Sequence, residues 1–360
     1  MRYLFSLLLL AHGLIHWMGF LKAYRFAEIS QLAQPISKTA GLFWLSTSLL
    51  WMLAALLLIL RKDAWWMVAL PALILSQWLI FTSWQDAKYG TIANVLVLLA
   101  GIVAYGQWSY NRMISSEIET FLPVKTTPGI VTNEQIATLP AVVQNWLKRS
   151  QVLGKERTRF VHLKQNGEMK TKPDGKWLPF EAEQYFSIEN PGFIWTADIK
   201  AAPMIHIVGR DKYEGGKGNM LIKLLSLFPI ANAAGPEIDQ GTLLRYLAET
   251  AWFPSAALED YIQWDAVDNT TAKATMQYGG ITASGIFRFT EEGDLLSFEA
   301  KRFYDRKEGA TLEDWWIENK AWKEMQGLSI PTQSEVTWKL KTGNFNWLKL
   351  EITAIDYHGQ

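Results

Sequence analysis

Charge is distributed along this chain so unevenly that two different solvents must be involved. The sequence carries 35 Lys plus Arg and 35 Asp plus Glu in 360 residues, yet only ten of these precede Arg112: Arg2, Lys22, Arg25, Glu28, Lys38, Arg61, Lys62, Asp63, Asp86 and Lys88. Between them lie four apolar runs, at residues 3–21, 41–60, 64–82 and 92–108. At a rise of about 1.5 Å per residue, each run is long enough to cross a hydrocarbon core of ~30 Å as a helix. Trp17, Trp44, Trp51, Trp65, Trp66, Trp78, Trp84 and Trp108 gather towards several of the ends, as interfacial indoles do. The first run is too long for a signal-peptide core and has no small-residue cleavage site after it. The reading is a four-span membrane domain over residues 1–111, in a multi-pass cell (inner) membrane protein whose first partner is the lipid bilayer.

An even number of spans places both ends of the bundle on one side. Arg2, Arg61, Lys62 and Arg112 flank that side, against Lys22, Arg25, Lys38 and Lys88 on the other. More positive charge lies after the first span than before it, which leans towards an exported N-terminus and an extracytoplasmic position for the C-terminal two-thirds of the chain. The net charge of zero, without a basic stripe, argues against a nucleic-acid partner. The absence of cysteine excludes disulfides, thiolate metal sites and cysteine nucleophiles.

Residues 112–131 read as a linker, and residues 132–149 as helical, with Thr132 and Asn133 as caps and a break near Pro140. Period-two alternation then takes over. Ile281, Ala283, Gly285, Phe287 and Phe289 share one face, and Leu348, Leu350, Ile352 and Ala354 another. Turns are written as Pro173-Asp174-Gly175, Asn190-Pro191-Gly192, Gly279-Gly280, Glu292-Gly293-Asp294 and Thr342-Gly343-Asn344. About ten strands joined as hairpins make residues 132–360 a mainly-β soluble domain: a large curved antiparallel sheet with a few helices against its concave face. The exception is an apolar insert at about 220–260. Its first part holds Met220, Leu224, Leu227 and Phe228 and reads as an apolar loop. Its second reads as a helix over residues 239–250, bearing Leu243, Leu244 and Leu247 and ended by Trp252-Phe253-Pro254.

Ala11-His12-Gly13-Leu14-Ile15-His16, Gln34-Pro35-Ile36-Ser37, the stretch from Trp84 to Thr91 and Arg245-Tyr246-Leu247-Ala248-Glu249 resemble an uncharacterised bacterial membrane-protein family. In that family a four-span head precedes a C-terminal domain of unknown function, and no activity is available to transfer. At the level of fold alone, the strand count and apolar insert are similar to the periplasmic lipoprotein carriers, half-open barrels lidded by helices that bind acyl chains.

Two groups of residues could carry function. Met220, Leu224, Leu227, Phe228, Leu244, Leu247, Trp252 and Phe253 would contact a lipid or other hydrophobic small molecule, with Arg210, Arg245 and Glu249, set among Asp211, Glu237 and Asp239, as an ion-pair latch on the insert; a solvated helix face is the plainer account of those charges. In the bundle, His12 and His16 fall on one helix face at i,i+4, and ionisable groups at that depth face a bundle interior. With Gln77, Asp86 and Lys88 they could form a metal, quinone or proton-relay site, or simply hydrogen-bond to Ser46, Ser48, Ser76 or Gln77 as packing glue. Two histidines on one helix cannot take opposite axial positions of one haem. Glu214-Gly215-Gly216-Lys217-Gly218 lacks the spacing of a phosphate loop, no G-x-S-x-G elbow is present, and His162, His206 and His358 are far apart in sequence. No nucleophile, base and orienting group can be assembled. A membrane-anchored binding protein is therefore expected over an intramembrane enzyme or redox component built on His12 and His16.

Overall fold

The computed structural model describes residues 2–121, 129–304 and 309–357; residues 122–128 of the expected linker and His358 lie outside them. The chain divides into two compact units, Met1–Met113 and Ile114–Gln360.

The first unit contains α1 (Arg2–Ala23), α2 (Lys38–Ile59), α3 (Trp65–Thr82), the single turn α4 (Trp84–Ala87) and α5 (Gly90–Phe121), whose residues from Ile114 belong to the second unit. By length and composition α1, α2, α3 and α5 can each cross a membrane. Around a small apolar core that includes Leu9, Trp51 and Ala72, their outer faces are apolar too, unlike those of a water-soluble bundle. On α1, Leu4, Leu7, Leu14 and Ile15 are exposed, while Ser6, His12, Gly13, His16 and Gly19 are buried. Apolar outer faces cost nothing in hydrocarbon, where close backbone approach and polar contacts hold helices together instead. Glycine supplies that approach. A Cβ on Gly19 would lie 2.2 Å from the Trp44 ring, and one on Gly13 3.1 Å from Trp51 Cβ.

In the second unit, the Thr132 side chain accepts from Gln135 N and the Gln135 side chain accepts from Thr132 N, a reciprocal cap for α6 (Asn133–Ala137). Pro140 separates it from α7 (Ala141–Arg149), whose Val142, Val143, Trp146 and Leu147 are buried. Thirteen strands follow among the described residues, where about ten were expected. The first six are β1 (Phe160–Met169), β2 (Leu178–Ser187), β3 (Gly192–Ala202), β4 (Ile205–Glu214), β5 (Lys217–Leu224) and β6 (Phe228–Ala234). Helix α8 (Pro236–Glu249) and two 3-10 segments (Thr250–Trp252 and Pro254–Leu258) come next. The remainder are β7 (Ile262–Asp268), β8 (Thr271–Tyr278), β9 (Ile281–Phe289), β10 (Leu295–Tyr304), β11 (Thr311–Met325), β12 (Leu328–Leu340) and β13 (Gly343–Asp356).

All strands belong to one antiparallel sheet in the order β6-β5-β4-β3-β2-β1-β13-β12-β11-β10-β9-β8-β7. Two meanders are thus fused where β1 pairs with β13. The sheet must curl, because α8 packs against β4, β5 and β6 near one edge and against β8, β9 and β10 near the other. The hairpin turns β4–β5 and β8–β9 come into contact: a Cβ on Gly216 would lie 2.7 Å from Gly279 Cα. The result is a half-barrel wrapped around α8, with Leu243, Leu244, Tyr246, Leu247 and Phe253 of the plug in its main hydrophobic core.

Two expectations are corrected. The segment read as an apolar loop from residue 220 is the β5–β6 hairpin, so the insert proper starts at Pro236. The sequence does not mark these strands because β5 does not alternate: Leu221 is buried although Met220 and Ile222 occupy the opposite phase. The alternation expected through Ala354 ends early. A bulge opposite Lys164 and Gln165 inserts Thr353, which exposes Ala354 and buries Ile355.

Gly167 sits beside that bulge, where a Cβ would lie 2.2 Å from the Lys349 carbonyl oxygen and 2.6 Å from the Phe180 ring. Gly167→Ala must push backbone apart at the seam between the two meanders. The expected loss is about 1–3 kcal/mol, read as a fall of roughly 2–4 °C per kcal/mol in thermal midpoint. Gly129→Ala, with no atom within 4 Å of its Cβ, is the control; equal midpoints for the two variants would contradict a tight seam.

Candidate ligand-binding site

The plug does not fill the half-barrel. A cavity of about 230 Å³ remains between the sheet and the C-terminal end of α8. Met169, Phe180, Ile199, Met220 and Ile222 wall it from one meander, and Phe298, Ile317, Val336 and Leu350 from the other. Ala248, Ala251 and Trp252 close it from the plug. For scale, a dry cavity of ~150 Å³ in a protein core suffices for a benzene-sized guest.

Into this apolar chamber the fold brings a charged cluster. Pro236 at the first helical position and the acidic Glu237 and Asp239 in the first turn suit the start of α8. Asp239 also accepts from Gly218 N at 2.7 Å and from Lys217 Nζ at 2.9 Å, fixing the helix to the β4–β5 turn. Two turns on, Arg245 Nε donates to Glu249 Oε1 and Nη1 donates to Asp211 Oδ2, both at 2.7 Å. Its guanidinium lies 4.9 Å from the Phe193 ring centre and 5.1 Å from that of Trp195. Gln184 Nε2 completes Glu249 at 2.8 Å. Burial pushes the Glu249 carboxyl above its ordinary range, against the pull of Arg245. Burial draws Arg245 down, and Glu249 and Asp211 together more than reverse that, so its pKa ends raised.

Of the expected latch residues, Arg245 and Glu249 are therefore one buried ion pair, and Asp211 is their third member. Arg210 also faces the cavity but pairs elsewhere, with Glu117 Oε2 at 3.2 Å and with the Asn219 side chain at 2.7 Å. Of the expected ligand contacts, Met220 and Trp252 line the cavity. Leu244, Leu247 and Phe253 are packed in the core. Leu224, Leu227 and Phe228 sit at the β5–β6 turn, outside the lining, with Phe228 60% exposed.

Gln165 and Arg302 went unremarked in the sequence. Gln165 is 2% exposed, accepts from Trp195 Nε1 at 3.0 Å and lines the cavity. Arg302 lines it too, 4.5 Å over the Trp315 ring, and burial brings its pKa down to about 10. Strand phase is the signal that would have found both: Val161, Leu163 and Gln165 share one face, as do Phe298, Ala300 and Arg302.

The helical bundle holds a separate polar group. His12 Nε2 lies 3.0 Å from Asn94 Oδ1 and 3.2 Å from Ser76 Oγ, and Ser76 donates to the same Asn94 oxygen at 3.1 Å. Asn94 Nδ2 donates to Gln77 Oε1, and Gln77 Nε2 to Thr91. With Asn94 Oδ1 as the acceptor, the network puts a proton on His12 Nε2. His16 Nδ1 donates to the His12 carbonyl at 2.9 Å, which leaves its buried Nε2 with a lone pair and no partner. Asp86 is held elsewhere, accepting from Ala33 N and Gln34 N. Lys88 lies over the Tyr89 ring at 5.3 Å. Among the described residues, no three His, Asp or Glu side chains gather as a metal set.

Residues 137–357 match the model of a family described as a family of unknown function (DUF6920), and the chain belongs to that family. No curated protein matches the sequence. Among solved structures, the chain is similar to the crystal structure of a domain from Vibrio parahaemolyticus assigned to outer membrane lipoprotein sorting, with 9% identity and a TM-score of 0.31 over 60% of this chain and 91% of that one.

Removing Arg245 alone strands Asp211 and Glu249, both less than a tenth exposed. Arg245→Met should cost about 3–5 kcal/mol, whereas adding Glu249→Leu should recover part of the loss because one orphaned charge disappears. Denaturant midpoints of the two variants check this, and a double variant no more stable than the single would contradict it.

Proposed function

We propose that this member of the family is a membrane-anchored carrier whose half-barrel holds the apolar part of a lipid, acyl chain or other amphiphile. The observation that carries this reading is the cavity between sheet and plug, with apolar walls contributed by both meanders and volume to spare after the core has packed. A native core is otherwise filled to crystal-like density, and a void this large forfeits packing energy unless something occupies it. At about 230 Å³ it suits one short chain or a segment of a longer one, below the usual range of roughly 300–1,000 Å³ for drug-sized sites.

The four membrane-crossing candidates supply the anchor. The positive charge after the first of them favours an extracytoplasmic half-barrel in a cell membrane, where a carrier would exchange amphiphiles with the bilayer surface. On this reading the hydrogen bonds of His12, Ser76, Asn94 and Gln77 serve as interhelical glue. One observation favours a second role: the unpartnered, buried Nε2 of His16 could engage a quinone or a proton carrier within the bundle. If a quinone is bound there, His16→Phe should remove its absorption from the spectrum of the purified protein, and an unchanged spectrum would dismiss the quinone.

The carrier reading is tested by native mass spectrometry of the full chain extracted in mild detergent. Wild type should retain bound amphiphile. Ile222→Trp, which builds an indole into the cavity, should reduce occupancy roughly tenfold through overpacking of 1–3 kcal/mol. Ligand-free wild-type protein that also fails to take up added lipid would overturn the proposal.

A further inference from the structure

The cavity is greasy, yet its unmet polar groups are all of one kind. Among the described residues, the buried side-chain nitrogens and oxygens lining it that lack a hydrogen-bond partner are Gln165 Nε2, Trp252 Nε1, Trp315 Nε1, Trp347 Nε1 and Arg210 Nε, the last of which still has the Glu117 carboxylate beside it as an ion pair. Every one is a donor. Several of the chamber's acceptors are already engaged. Asp211 and Glu249 are taken by Arg245, with Gln184 on the second Glu249 oxygen, and Asn319 Oδ1 accepts from Ser334. Arg302 adds a guanidinium with no described carboxylate within ion-pair distance; its contacts are the faces of Trp315 and Trp338 at 4.5 and 6.0 Å. Asp211 and Glu249 act on it only from further away.

A buried donor left empty costs about 1–3 kcal/mol, and a buried cation more. The amide of Gln165, three indoles and an arginine without a described carboxylate partner, gathered around one chamber from strands and plug, are a poor way to surround a plain hydrocarbon. Water alone is also a poor answer, because each water brings as many donors as acceptors. An oxyanion brings only acceptors.

The geometry points to an amphiphile with an oxyanion head, a carboxylate or a phosphate, its head oxygens on Arg302 and accepting from Gln165 and the cavity indoles, and its chain along the apolar walls. This rests on the carrier reading and narrows it. Arg302 suits the role because a guanidinium offers a planar fork of donors to a two-oxygen head while its own face stays stacked on Trp315. Arg245 does not suit it, being saturated by its own two carboxylates.

The test titrates delipidated full-length protein in detergent, by quenching of tryptophan fluorescence, with palmitate, hexadecyl phosphate and hexadecanol. Palmitate or hexadecyl phosphate should bind at least tenfold more tightly than the alcohol, and the better of the two names the head, a free fatty acid or a lipid phosphate. Arg302→Gln should weaken the anionic ligand about 10- to 100-fold and leave hexadecanol within about twofold. Gln165→Leu, which keeps Arg302 and its stacking, should weaken the anion by a smaller factor, and it decides the matter if the arginine variant does not fold. Equal affinity for the alcohol and the anions, or an anion affinity indifferent to both substitutions, overturns the oxyanion head and leaves the carrier intact. Binding of none of the three overturns the carrier itself.

Discussion

Arg245 is the contact on which the second unit's architecture turns. It stands on the only long helix inside the half-barrel among the described residues, and its two partners lie on different elements: Glu249 on the same helix, Asp211 on β4. Leu243, Leu244 and Leu247 on the other faces of α8 are fully packed, so the helix is driven into the sheet by apolar burial and oriented there by the ion pair. Non-directional burial alone would allow the plug to rotate or settle deeper. A hydrogen-bonded guanidinium held by two carboxylates and two aromatic faces does not allow it. The cavity is what remains when α8 is stopped at that depth.

Much of this was legible from residue order. The four apolar helices could be read because the solvent on one side is hydrocarbon, which demands uninterrupted apolar length and leaves little room for alternatives. The hairpin turns at Pro173–Gly175, Gly279-Gly280 and Thr342–Asn344 could be read because each needs a particular backbone conformation; Gly279, Gly280 and Gly343 all have positive φ. The Arg245–Glu249 pair followed from helical spacing alone. What could not be read depended on contacts distant in sequence. The β5–β6 hairpin has no clean alternation, since Leu221 is buried out of phase. Asp211 stands among the charges expected around the insert, but its pairing with Arg245 depends on β4 passing beside α8. Gln165 and Arg302 share the strand phase of buried apolar neighbours, a signal the sequence carries, but only the curl of the sheet makes that phase line a cavity.

The two units obey opposite rules for polar groups. In the bundle, His12, Ser76, Asn94 and Gln77 satisfy one another across helices, and polar atoms act as the directional glue that apolar surfaces cannot provide in hydrocarbon. In the half-barrel, apolar burial does the assembling, and several of the polar atoms that remain unmatched collect around the cavity. That gathering around a cavity is what supports the proposal of a ligand in the half-barrel. In the bundle His12, Ser76, Asn94 and Gln77 close on one another while His16 Nε2 stays unpartnered, whereas the donors left over in the half-barrel gather around one chamber.

The central claim, that an amphiphile completes this core, is addressed most directly by an experimental density map of the full chain taken from membranes without delipidation. Continuous, elongated density is expected inside the half-barrel, running along Ile222, Phe298 and Ile317 with its broad end at Arg302. A chamber collapsed onto itself, or one holding only separate water peaks, would contradict it.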